Sequence, residues 1–100
     1  MRPTPHLFFN RAGEPIDHSE WIRLVNDREY GLVGYDIVSR TEVRTVWTGL
    51  AMPDMAGGPD TIFETFVHGD VETFKSRYAT ESEARAGHAA AVEAVRRAVS

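Results

Sequence analysis

Between Tyr30 and Leu50 the side chains alternate across a short break, and this alternation limits the fold more than any other feature of the sequence. "YGLVGYDIVSR" sets Val33, Tyr35 and Ile37 on one side and Leu32, Gly34, Asp36 and Val38 on the other. "VRTVWTGL" sets Val43, Thr45 and Trp47 against Arg44, Val46, Thr48 and Leu50. A period of two sends successive side chains to opposite faces of a sheet, and the β-branched and aromatic content suits a strand. "SRTE" between the two runs reads as a hairpin turn, which makes the pair antiparallel. "TIFETFVHG" supplies a third strand, with Phe63, Thr65 and Val67 opposite Ile62, Glu64, Phe66 and His68. "TFKSRYA" supplies a short fourth that would close the sheet.

The C-terminal run "TESEARAGHAAAVEAVRRAVS" changes period to that of a helix. Thr80 as N-cap and Glu83 three residues on form a capping-box pattern. Ala84, His88, Ala91, Val95 and Val99 make the core-facing stripe. Glu81 and Glu83 near the start, and Arg96 and Arg97 near the end, complement the helix dipole. Gly87 interrupts the pattern at a cost of about 1 kcal/mol relative to alanine, which predicts close packing against the sheet. Upstream, "HLFFN" is a short apolar run and "RAGEP" is turn chemistry. "IDHSEWIRLVND" then reads as a short helix ending near Asp27, capped by Asp17 with Glu20 three residues on. Trp21, Leu24 and Val25 share its apolar face, and Ile16 before the cap is placed to staple onto Trp21. The sum is a single α+β domain over residues 1–100: a three- or four-stranded antiparallel sheet packed by the C-terminal helix, with a short N-terminal helix.

A chain of 100 residues with 42% hydrophobic and 26% charged residues buries one modest core. The absence of cysteine excludes disulfides, thiolate nucleophiles and cysteine-based zinc sites. No apolar run approaches the ~20 residues that span a bilayer. Asn10, Arg11 and Glu14 interrupt the N-terminus too early for a signal peptide, so a cytoplasmic protein with no membrane association is expected. The net charge of −4 carries no basic stripe beyond Arg96/Arg97 and the scattered Arg40/Arg44, which argues against nucleic-acid binding.

Glu64 and His88 are the best candidates for chemistry. Glu64 sits among Ile62, Phe63 and Phe66, and His88 lies on the apolar stripe of the last helix. If that helix covers the face bearing Glu64, the two meet. A carboxylate–imidazole pair can charge a general base, or it can fix helix to sheet as a buried hydrogen-bonded pair. No serine, cysteine or lysine stands beside it by motif, so the structural role is favoured and no catalytic residue is assigned. The histidines His6, His18, His68 and His88 lack metal-ligand spacing, and neither a metal nor a cofactor is expected. The stretch Met52–Asp60 is glycine-rich but lacks the lysine and Ser/Thr of a phosphate-binding loop. It is longer than an ordinary hairpin loop, and its methionines suit either a lid or an adaptable contact surface. Met52, Pro53, Met55, Gly57 and Gly58 are its candidate binding residues.

The stretches "TVWTGL", "GGPDTIFETFV" and "RYATESEARAGHAAAVE" resemble a family of small uncharacterised proteins from phages and prophages of actinobacteria and their hosts. The family pattern runs T-V-W-L-G-L, a glycine- and proline-rich loop containing Asp-His, L-I-F-E-T-M-V-F, then Y-S-T-E-E-E-A-L-x-G-H. Thr45, Val46, Trp47, Gly49, Leu50, Gly57, Gly58, Pro59, Ile62–Thr65, Tyr78, Thr80, Glu81, Glu83, Gly87 and His88 match it, over roughly the last 60 residues; "WIRLVNDREY" also looks like the family's N-terminal part. The chain departs where the family's loop shows Asp-His, having Ala51 and Met52, and at His68, where the family tends to have Phe. The resemblance implies no activity. It favours a small non-enzymatic protein that binds a host or phage macromolecule, with the Met52–Asp60 loop as lid or contact surface. A protein partner is expected, and homodimerisation through "TEVRTVW" or "TFKSRYA" stays open. The alternative is a small-ligand binder or enzyme using Glu64 and His88.

Overall fold

A computed structural model describes residues 7–54, 56–69 and 75–99. In chain order the elements are β1 (Phe8–Phe9), β2 (Pro15–Ile16), α1 (His18–Val25), α2 (Arg28–Gly31), β3 (Leu32–Val38), β4 (Thr41–Met52), β5 (Thr61–His68), β6 (Lys75–Tyr78) and α3 (Glu81–Val99). The fold is α+β: an antiparallel sheet with α3 packed across it and small helices near the N-terminus.

The 12-residue β4 is the axis of the sheet. β5 runs along one side of it; on the other side β3 pairs its first half and β1 meets it at Leu50. β6 extends the sheet beyond β5, and β2 extends it beyond β1. The hairpin expected from the alternation is present and tighter than "SRTE" suggests, because Val38 already pairs with Thr41 across Ser39–Arg40. "TEVRTVW" is therefore paired on both sides and offers no edge to a second copy.

Three boundaries differ from the sequence reading, each for a local reason. The Asp27 carboxylate accepts the Tyr30 N–H at 3.2 Å and winds Arg28–Gly31 into one helical turn, so the strand starts at Leu32 instead of Tyr30. The register slips between Trp47 and Met52, and β4 resumes so that Met52 pairs with Thr61. Met52 thus ends a strand and does not open the loop. The run "HLFFN" and the turn after it form the small β1–β2 hairpin, with Phe8 level with Ile16, which adds strands to the three or four expected.

Both caps form. Asp17 accepts the Glu20 N–H at 2.8 Å, although the Glu20 carboxylate pairs with Arg23 instead of reaching back. Thr80 Oγ1 accepts the Glu83 N–H at 3.2 Å and donates to Glu83 Oε1 at 3.0 Å. The Arg11 guanidinium bonds Glu81 Oε1 at 2.7 Å and ties the β1–β2 turn to the start of α3. Arg11 first, and then Arg85, hold the Glu81 carboxyl below the usual carboxylate range.

α3 lays Ala84, His88, Ala91, Val92 and Val95 on one face of the sheet. One core cluster joins Ala91, Val92 and Val95 to Val43 and Val67. The other joins Ala84 to Leu24, Trp47, Ile62 and Phe63, with Ile16 and Trp21 packed at its margin. The stripe ends a turn earlier than the periodicity predicts: Val99 is exposed, and Val92 is buried in its stead. On α1, Leu24 is buried while Val25 faces outward. Gly87 has a steric cause, since a Cβ there would stand 2.2 Å from the Tyr78 ring.

Candidate interaction surface

Beneath α3 a run of polar side chains crosses the sheet. His88 Nε2 lies 2.7 Å from Asp36 Oδ2, His88 Nδ1 2.8 Å from Thr45 Oγ1, and Thr45 Oγ1 2.6 Å from Thr65 Oγ1. A carboxylate only accepts, so the network assigns the ring hydrogen to Nε2. Nδ1 then accepts from Thr45, and Thr65 donates to Thr45. The ring has room because position 34 is glycine: a Cβ there would stand 2.9 Å from it. Hydroxyl, imidazole and carboxylate are the residue types of an activated nucleophile. Here, however, Thr45 is fully buried and its hydroxyl is enclosed by His88 on one side and Thr65 on the other. The run satisfies buried polar groups and locks α3 to the sheet.

The expected Glu64–His88 pair does not form. Glu64 is level with Val46 and Arg77 and points to the face away from α3, where its Oε1 lies 3.5 Å from Arg77 Nε. Strand parity is the reason. His88 meets the face of Thr45 and Thr65, and Glu64, adjacent to Thr65, must point the other way. The partner that sequence reasoning missed is Asp36. Its parity with Gly34 was the available signal: an acidic side chain at the margin of the helix-bearing face can accept from α3, and a glycine two residues away leaves space for the donor ring.

The opposite face of β3–β4–β5–β6 is covered by no helix among the described residues. Leu32, Tyr35 and Ile37 of β3 are 41%, 47% and 63% exposed there, and Leu50 of β4 is 38% exposed. Val46 and Phe66 lie between them, half-buried. Charges of both signs are interleaved. The Tyr35 hydroxyl donates to Glu42 Oε2 at 3.3 Å, the Arg44 guanidinium lies over the Phe66 ring at 5.7 Å, and Glu64 pairs with Arg77. Partial burial and then the Glu42 carboxylate push the Tyr35 phenol up, keeping it a donor.

Three hollows open on this face. One, of about 500 Å³, lies where α2 meets β3 and β4 and has Leu32, Tyr35, Val46 and Trp47 in its wall. The second, of about 210 Å³, is bounded by Thr48, Leu50, Met52, Thr61, Glu64 and Arg77. Of the five candidate loop residues, Met52 lines this second hollow, and Pro53 lines the third, of about 350 Å³, beside Asp54, Thr61 and Arg77. Gly57 and Gly58 are exposed at the loop tip, away from all three. Met55 lies outside the described residues. Pro53 and Asp54 border the uncovered face, whereas Pro59 and Asp60 line a hollow beside Phe9, Ile62 and Thr80; Pro53, Asp54 and residues 56–60 are all exposed.

Compared with protein-family models, curated proteins and solved structures, the chain matches none. Among the described residues no three His, Asp or Glu side chains converge to hold a metal ion. No described helix is long and apolar enough to cross a membrane.

Proposed function

We propose that this chain is a small non-enzymatic cytoplasmic binding protein, of the phage or prophage type its sequence resembles, that holds a host or phage protein on the uncovered face of its sheet. One observation carries the reading: Leu32, Tyr35, Ile37 and Leu50 stand exposed together on a face that no element of the described chain covers. Single exposed apolar residues are ordinary, but four on one uncovered sheet face, interleaved with charges, fit the mixed composition of a protein-contact surface. The enclosure of the Thr45 hydroxyl supports the non-enzymatic part, because that hydroxyl cannot reach a substrate. Pro53 and Asp54 border the surface as a rim.

The test compares tagged wild type with Ile37→Asp/Leu50→Asp and with Ala90→Asp on the outer side of α3, each used to capture proteins from an actinobacterial lysate. A stoichiometric partner kept by wild type and by Ala90→Asp, and lost by the double variant with its circular dichroism unchanged, supports the reading. Retention by the double variant overturns it.

A further inference from the structure

We propose that the largest of these hollows, where α2 meets β3 and β4, takes a short segment of a partner protein carrying a carboxylate next to a large apolar side chain. The inference rests on reading the uncovered face as a protein-binding surface, and it specifies which partner that face accepts. The hollow is an open one of about 500 Å³, and Val25, Leu32, Val46 and Trp47 make up its apolar floor. Its rim carries Arg28 and Arg44.

These two arginines differ from most others in the molecule. Arg11, Arg23, Arg77, Arg85, Arg96 and Arg97 each lie within ion-pairing distance of a glutamate of the same chain. Among the described residues Arg28 and Arg44 have no carboxylate within that distance, and both are exposed. Two guanidiniums outside ion-pairing distance of any described carboxylate, against the single carboxylate of Asp27 in the same lining, leave the hollow a net positive complement to an acid. Guanidinium forks favour planar carboxylates or phosphates, which they hold bidentately. The Arg44 guanidinium is already steadied over Phe66, which lowers the cost of ordering it.

The surroundings choose between those two acids. Asp27 also lines the rim, and Glu42 stands on the same strand face as Arg44. A phosphate chain continuing past the hollow would meet both carboxylates, whereas a peptide can place one acidic side chain between the arginines and continue uncharged. The apolar floor then receives a neighbouring Leu, Phe or Trp side chain of the same segment.

The test is a selection of random octapeptides by mRNA display on the immobilised full-length chain. The expected outcome is enrichment of Asp or Glu within two positions of a large apolar residue. The best synthetic peptide should then bind about tenfold or more weakly to Arg28→Ala and to Arg44→Ala. Selection on Arg44→Glu should move the preference toward basic residues. Both arginines are exposed, and unchanged circular dichroism separates lost binding from lost folding. Peptides without acidic preference, affinity unchanged in both arginine variants, or no enrichment at all would each overturn the proposal. So would Arg44-dependent binding of a 20-nucleotide oligothymidylate in preference to every selected peptide. A failure here leaves the capture experiment with Ile37→Asp/Leu50→Asp to judge the protein-binding reading separately.

Discussion

The two faces of the central strands are built from the same runs of sequence read at alternate parity, yet they do opposite work. On the covered face Val43, Thr45, Trp47, Phe63, Thr65 and Val67 are buried, and Thr45 and Thr65 are hydrogen-bonded to each other, with Thr45 also bonded to α3. Of the buried hydroxyls on this face, Thr41 alone among the described residues has no partner. On the other face Ile37, Tyr35 and Leu50 stand in solvent beside arginines and glutamates. The difference teaches that hydrophobicity along a strand does not by itself mark the core. What marks the core here is the presence of an amphipathic helix with a stripe to match one parity.

The contrast can be broken or sharpened by substitution. The largest effect belongs to Phe63→Ala, which should cost about 3–5 kcal/mol in urea unfolding, against about 0.5 kcal/mol or less for Ile37→Ser. Comparable costs for the two would mean the faces are not distinct. Gly87→Ala comes next. Helix propensity alone predicts a gain of about 1 kcal/mol, but contact with the Tyr78 ring should turn it into a loss of about 1–3 kcal/mol that Tyr78→Ala partly relieves. His88→Ala should cost a similar ~1–3 kcal/mol by removing a partner of the buried Thr45 hydroxyl and emptying the ring's site, with Glu64→Ala well below it. A double-mutant cycle between positions 64 and 88 should give little coupling, whereas one between 36 and 88 should not.

The smallest expected effect lies at the Arg11–Glu81 tie, worth about 1 kcal/mol. The folded carboxyl titrates lower than its ordinary 4.5, so the stabilisation is fully present above that value and is lost as pH falls through the lowered one. Glu81→Gln should therefore be less stable than wild type near neutrality, and the gap should close on acidification. A gap independent of pH would show that the charge is not what ties the turn to α3.

The sheet and the last helix were legible in the sequence because their signals are local: alternation in β3, β4 and β5, and a cap, stripe and charge gradient in α3. What was not legible depended on counting parity between elements far apart in the chain. Glu64 and Asp36 are both acidic residues in apolar strands, and composition favours Glu64 as the partner of His88. Only the pairing of Gly34 with Thr45 and of Thr45 with Thr65 puts Asp36 on the helix side and Glu64 opposite it. The bulge that carries β4 on to Met52 has a local signal only in Gly49, which sits within it at φ +67°, and a strand end there reads as loop. The uncovered face was written in the alternation itself, but nothing in a strand says which of its two faces a helix will choose.

The most direct measurement is in-cell photocrosslinking, with a benzophenone amino acid placed singly at Ile37, Leu50, Ala86 and Ala90. All four positions are exposed, two on the uncovered sheet face and two on the outer side of α3. Discrete adducts of one added protein at positions 37 and 50, and none at 86 and 90, are the predicted result. Adducts confined to the α3 positions, or none at the sheet positions in cells that express the partner, would contradict the claim that the uncovered face is where this protein makes contact.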